Sequence, residues 1–166
     1  MAELWQLGAL ELADRIRTKE VSSREVLEAH LARVGECNGA LNAIVRLLTD
    51  EARTAADAAD AAVAAGARLG RLHGVPCTVK ENIDLAGTPT TQGVTALAYA
   101  VATIDAPTVE RMRAAGAIPF ARTNLPDFGL RVHTDSQLHG PTRNPWNPDV
   151  TAGGSSGGEG AAIASG

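Results

Sequence analysis

The chain has 166 residues, 45% of them apolar and only 3% aromatic, with a net charge of −4 mixed along its length. This supports a globular unit with its own core of small aliphatic side chains, and the absence of a basic stripe excludes nucleic acid as an electrostatically steered partner. No apolar run is long enough to span a bilayer, and acids interrupt the N-terminal stretch where a secretion signal needs an apolar run; a cytoplasmic protein is expected, with Cys37 and Cys77 as reduced thiols.

Residues 1–70 read as a helical region. In "LWQLGALELADRIR", Leu4, Leu7, Leu10 (or Ala9), Ala13 and Ile16 form a helical stripe. Ser22 followed by Glu25 makes a capping box before the apolar face of Val26, Leu27, His30, Leu31 and Val34. "ALNAIVRLL" fits either a strand or a helical turn. The alanine-rich stretch after it reads as a helix capped by Thr49 or Asp50 and stopped at Gly66 or Gly70.

From residue 71 to 166 the texture changes to an α/β unit. "VPCTVK" reads as a strand, "APTVERMRAAG" as a helix with Pro107 near its start and Gly116 at its end, and "AIPFAR" as a buried strand. Strand, helix and strand predict a parallel pair. A long irregular loop follows, with Trp146 of "NPWNP" expected to anchor it by packing. A last helix starts in "GEGAAIASG", with Ile163 expected to be buried.

That loop ends in "TAGGSSGGEG". Gly and Ser together suit a flexible linker, but the apolar helix behind them argues for a packed turn. A phosphate loop needs Lys after its last Gly, where Glu159 stands. A dinucleotide fingerprint needs a strand directly before the glycines, and "NPWNPDVTA" is not one. Gly153 to Gly157 match a nucleophile elbow literally, yet all four histidines lie upstream, which excludes the Ser-Asp-His order of that elbow. A lysine can serve a serine instead, if burial keeps it uncharged. Lys80 closes "VPCTVK"; its ordinary alternative is a solvated lysine paired with Glu81.

"LHGVPCTVKENID", "TTQG", "GAIPFARTNLPDFG", "GPTRNPWNP" and "GGSSGGEGAAIASG", in this order, closely resemble the amidase signature family. The resemblance implies an α/β/α core around a mixed sheet, preceded by N-terminal helices and incomplete in this chain. It also implies amide hydrolysis by a Ser–Ser–Lys triad without metal or cofactor. Lys80 matches the family's lysine, and Ser155 the bridging serine that the family holds through a cis peptide bond. Gly153, Gly154 and Ser156 match its supporting turn. Asn124 is expected to position a loop, and Gly129, with Ser155, to line the acyl pocket. Asp84 and Glu81 are expected to be structural or solvated, and His133 and His139 to hydrogen-bond within loops.

The family's attacking serine lies in a "D-x-G-G-S" run about two dozen residues beyond the bridging serine, together with the oxyanion amides. Residues 1–166 contain no such run, so these residues alone are expected to be inactive. The first expectation is an amidase acting on small-molecule carboxamides, with no nucleic-acid or membrane partner and homodimerisation left open. The alternatives are the amidating subunit of the glutamyl/aspartyl-tRNA amidotransferase and a non-catalytic truncated remnant. "KENID", "TNLPDF" and "GGEGAA" favour a stand-alone amidase over that subunit, which usually reads "KDN", "TNMDEF" and "GGSAAA".

Overall fold

The first helical stretch breaks at Gly8. In the computed structural model, which describes residues 3–166, a 3-10 turn at Leu4–Gln6 precedes α1 (Ala9–Arg17), with Gly8 as its N-cap. The break resets the helical phase, so α1 buries Leu12, Ala13 and Ile16. Leu10, expected on the buried stripe, is 58% exposed. The Ser22–Glu25 capping box opens α2 (Ser23–Leu41): the Glu25 N–H donates to Ser22 Oγ at 3.0 Å and the Ser22 N–H to Glu25 Oε2 at 2.8 Å. Such a cap stabilises a helix by about 1 kcal/mol.

Asn42, in the left-handed region at φ 53°, ends α2. The side-chain oxygen of Asn38 then accepts from the N–H groups of Ala43 and Ile44 at 2.9 and 2.8 Å. This turns the chain into β1 (Ile44–Leu47), so the stretch left open between strand and helix ends α2 with its first two residues and is a strand from Ile44 to Leu47. The next helix, α3 (Thr49–Ala64), has no side-chain cap, and Thr49 and Asp50 lie inside it. The reason is tertiary: the Leu48 N–H donates to the Phe120 carbonyl at 2.8 Å, which holds residue 48 at the sheet and starts the helix directly after it.

The remaining main elements are β2 (Pro76–Lys80), α4 (Pro107–Ala114), β3 (Ile118–Thr123), a small pair β4 (Asp135–Ser136) and β5 (Gly140–Pro141), and α5 (Gly157–Ser165). The main sheet has the order β1-β3-β2, with β2 parallel and β1 antiparallel to β3. It is therefore the mixed α/β sheet expected from the sequence, with the buried strand β3 at its centre. Helices α2 and α3 pack on it through Leu27, Ala52, Ala56 and Ala59 against Ile44, Ile118, Phe120 and Ala121. The alanines let α3 approach closely, while a buried Leu27 or Phe120 contributes about 1.5–3 kcal/mol.

Glu28 on α2 ties the two helices together. Arg53 donates to both its oxygens at 2.8 and 2.9 Å, and Arg24 donates at 2.8 Å. Arg53 first, then Arg24, hold the Glu28 carboxyl down at about 2. The folded value lies below the ordinary 4.5, so this stabilisation is complete above pH 4.5 and is lost as pH falls towards 2. The side chains are 38–40% exposed, and solvent screening limits the effect to about 1 kcal/mol or less. Urea melts should therefore show Glu28→Gln destabilised by that amount at neutral pH, with the gap closing near pH 2. Equal stability at neutral pH would contradict the ion pairs.

Candidate active site

Parallel pairing places the end of β2 beside the end of β3, with Lys80 in register with Thr123. The Lys80 side chain is only 7% exposed. Its Nζ lies 3.0 Å from Ser155 Oγ and 2.8 Å from Ser156 Oγ, residues 75 and 76 positions further along the chain. Both partners of the amine are hydroxyls rather than carboxylates. Glu81 is not its ion-pair partner and is not solvated: it is fully buried and bound by the Thr91 hydroxyl and by His139 Nε2 at 2.9 Å. Burial raises the Glu81 carboxyl, but the hydrogen bonds from His139 and Thr91 outweigh it and leave the group below its ordinary value. Arg122, also fully buried, donates to the carbonyls of Lys80 and Ile83 at 3.2 and 2.9 Å and braces the strand end.

The serines sit on a turn whose backbone is packed against backbone. The Gly154–Ser155 peptide bond is cis. A Cβ at Gly154 would come within 2.8 Å of the Arg131 carbonyl oxygen and the His133 nitrogen. One at Gly158 would lie 2.5 Å from the Asn124 nitrogen and oxygen. Thr134 ties the turn down: its hydroxyl donates to the Gly153 carbonyl at 2.9 Å and accepts the Gly157 N–H at 3.0 Å. Asn124, fully buried, donates to the Gly140 carbonyl and to Thr142 Oγ1, both at 3.0 Å, and accepts from the Leu125 N–H at 2.9 Å. Gly129, at φ +69°, faces Ser155: a Cβ there would sit 3.7 Å from its Oγ.

A family model described as Amidase matches residues 25–166. The chain belongs to the amidase family. An indoleacetamide hydrolase of Bradyrhizobium diazoefficiens is 50% identical over 98% of this chain and 31% of its own length. A glutamyl-tRNA(Gln) amidotransferase subunit of Acidothermus cellulolyticus is 42% identical over 99% of this chain and 32% of its own. The crystal structure of a bacterial aryl acylamidase of the amidase signature family superposes with a TM-score of 0.92 at 34% identity, covering 96% of this chain and 34% of that one. The chain thus spans about a third of the length of the curated relatives it matches.

Two residues near the Lys80–Ser155 cluster escaped the sequence reading. Glu159, in the first turn of α5, faces Lys80 electrostatically; its place in "GGEG" served only to exclude a phosphate loop. Asn82 has its Nδ2 3.8 Å from a Cβ placed on Gly129, and its Oδ1 is buried without a partner. No local periodicity marks either one. Burial lowers the proton affinity of Lys80, and the Glu159 charge works against that. Burial also pushes the Cys77 thiol up to about 12, and both cysteines are free.

Two residues expected to pack inside lie at the surface. Trp146 is 85% exposed, because its loop is held by Asx turns rather than by the indole. Asn144 Oδ1 accepts the Trp146 N–H at 2.9 Å, and Asn147 Oδ1 the Asp149 N–H at 3.0 Å. Ile163 is 82% exposed, since α5 turns Gly157, Gly158 and Ala161 inward. Among the described residues no helix is long and apolar enough to cross a membrane, and no three His, Cys, Asp or Glu side chains converge as metal ligands.

Proposed function

We propose that these residues form the lysine-and-bridging-serine half of an amide hydrolase, in which Lys80 is the general base and Ser155 the proton carrier. The observation that carries this reading is the buried Lys80 amine 3.0 Å from Ser155 Oγ. A neutral amine has two N–H donors and one lone pair. It can donate to Ser156 while accepting the Ser155 proton. Ser155 then takes the proton of an attacking serine supplied by a second glycine-rich motif, and that oxygen adds to the amide carbonyl. On collapse the C–N bond breaks, and the proton held by Lys80 returns through Ser155 to the departing nitrogen. Water, deprotonated along the same path, releases the acid from the acyl-enzyme.

The substrate class we propose is a small aryl- or alkyl-substituted carboxamide. In support, Phe128, Leu130 and Val132 flank Gly129 with exposed apolar side chains, and identity is higher to the indoleacetamide hydrolase than to the amidotransferase subunits. The amidotransferase reading keeps its own support in those relatives at 42% identity. Joining residues 1–166 to the remainder of the Bradyrhizobium hydrolase decides between them. Hydrolysis of indole-3-acetamide is expected; a folded chimera inactive on aryl amides would overturn the substrate class.

By themselves, residues 1–166 are proposed to lack the nucleophile. A fluorophosphonate that labels active serines should leave them unmodified while it labels the chimera. Stoichiometric labelling of the 166-residue chain would show that the nucleophile lies within it.

A further inference from the structure

We propose that Glu159 is the counter-charge that governs when Lys80 gives up its proton, acting across the Ser156 hydroxyl. The inference rests on Lys80 being the base of the site. Three pieces of geometry carry it. Gly158 is packed so tightly on the Asn124 backbone that residue 159 is held over the end of β3. Thr123 there is the register partner of Lys80. Glu159 follows Ser156 by three residues, in the first turn of the helix that Ser156 N-caps, which sets the two on one face, and Ser156 Oγ is the 2.8 Å partner of the lysine amine. Glu159 Oε2 and Thr123 Oγ1 are both buried without a hydrogen-bond partner.

The other charged groups near the strand end are already engaged. Glu81 is bound by Thr91 and His139 and faces Arg122, and Arg122 is turned to the Lys80 carbonyl rather than its amine. Glu159 is thus the carboxyl that acts on the Lys80 charge. Burial raises its own proton affinity, against the pull of Thr123, Lys80 and Ser156. An ionised Glu159 favours the ammonium form of Lys80, and its neutralisation favours the amine.

The sequence makes the test direct, because Lys19 and Lys80 are its only lysines. In the 166-residue chain labelled with 13C-lysine, two side-chain signals are followed by NMR against pH. Glu159→Gln should lower the proton affinity of Lys80 by about tenfold or more, the effect of removing a nearby opposite charge, and leave Lys19 unmoved. Glu159→Asp should bring Lys80 back towards the wild-type midpoint. Equal midpoints in wild type and Glu159→Gln, or equal displacement by Gln and Asp, would overturn the proposal. Should Glu159→Gln fail to fold, the wild type suffices: 13C-glutamate labelling must show the Lys80 signal stepping as the Glu159 carboxyl titrates, and independent titrations would reject the coupling. A wild-type Lys80 that titrates at the ordinary lysine value would instead defeat the general-base reading, so the two failures are separable.

Discussion

Lys80→Met is expected to lower kcat for amide hydrolysis by at least about 10²-fold in the chimera with the indoleacetamide hydrolase remainder, the lower end of what a positioned general base contributes. Lys80→Arg should be as inactive as Met, although it restores charge and length. A guanidinium stays protonated and has no lone pair to accept the Ser155 proton. This comparison separates a base from a structural cation, because a structural role would be partly rescued by Arg. The pH profile supplies a second check. Burial moves Lys80 below the ordinary lysine value, so activity should rise with pH as the amine deprotonates, along a limb displaced to lower pH than a solvated lysine would give. Turnover within threefold of wild type in Lys80→Met, with folding intact, would remove Lys80 from the mechanism.

Gly158→Ala should be the most damaging small substitution in the serine turn. The added carbon would fall 2.5 Å from two Asn124 backbone atoms and 2.9 Å from the Ala43 carbonyl oxygen, none of which can swing aside like a flexible side chain. Overpacking of this kind costs typically ~1–3 kcal/mol and sometimes more. In a chain of this size that corresponds to a Tm lower by about 2–4 °C for each kcal/mol. The same displacement pushes α5, and Ser155 and Ser156 just before it, away from Lys80. Gly160→Ala is the control: a Cβ there meets only the Ala152 oxygen, at 4.0 Å. Replacing a helix-interior glycine by alanine should then leave stability unchanged or raise it by up to about 1 kcal/mol. Equal Tm values for the two variants would show that the close approach at Gly158 is not what fixes the turn.

Most of the local structure was readable in the sequence. The Ser22–Glu25 box, Pro107 at the start of α4 and the glycine stops at Gly66 and Gly116 are signals between near neighbours, and each falls where it was expected. The errors share one cause. Leu10 was assigned by a stripe that ran through Gly8, Thr49 was assigned as a cap although the sheet holds Leu48, and Trp146 and Ile163 were expected inside because they are large and apolar. In each case a contact or a break outside the local pattern decided the outcome.

The sequence by itself determined the order of the motifs, the family, and the placing of Lys80 at a strand end and of Ser155 and Ser156 in a glycine turn. Only the tertiary structure decided that the amine and the two hydroxyls meet and that Glu81 turns to His139 and Thr91 instead of Lys80. The physical reason is range. Capping, turn chemistry and hydrophobic periodicity act over a few residues, whereas the charge state of a buried amine depends on groups that the β2–β3 pairing and the seating of α5 bring together from more than seventy residues away.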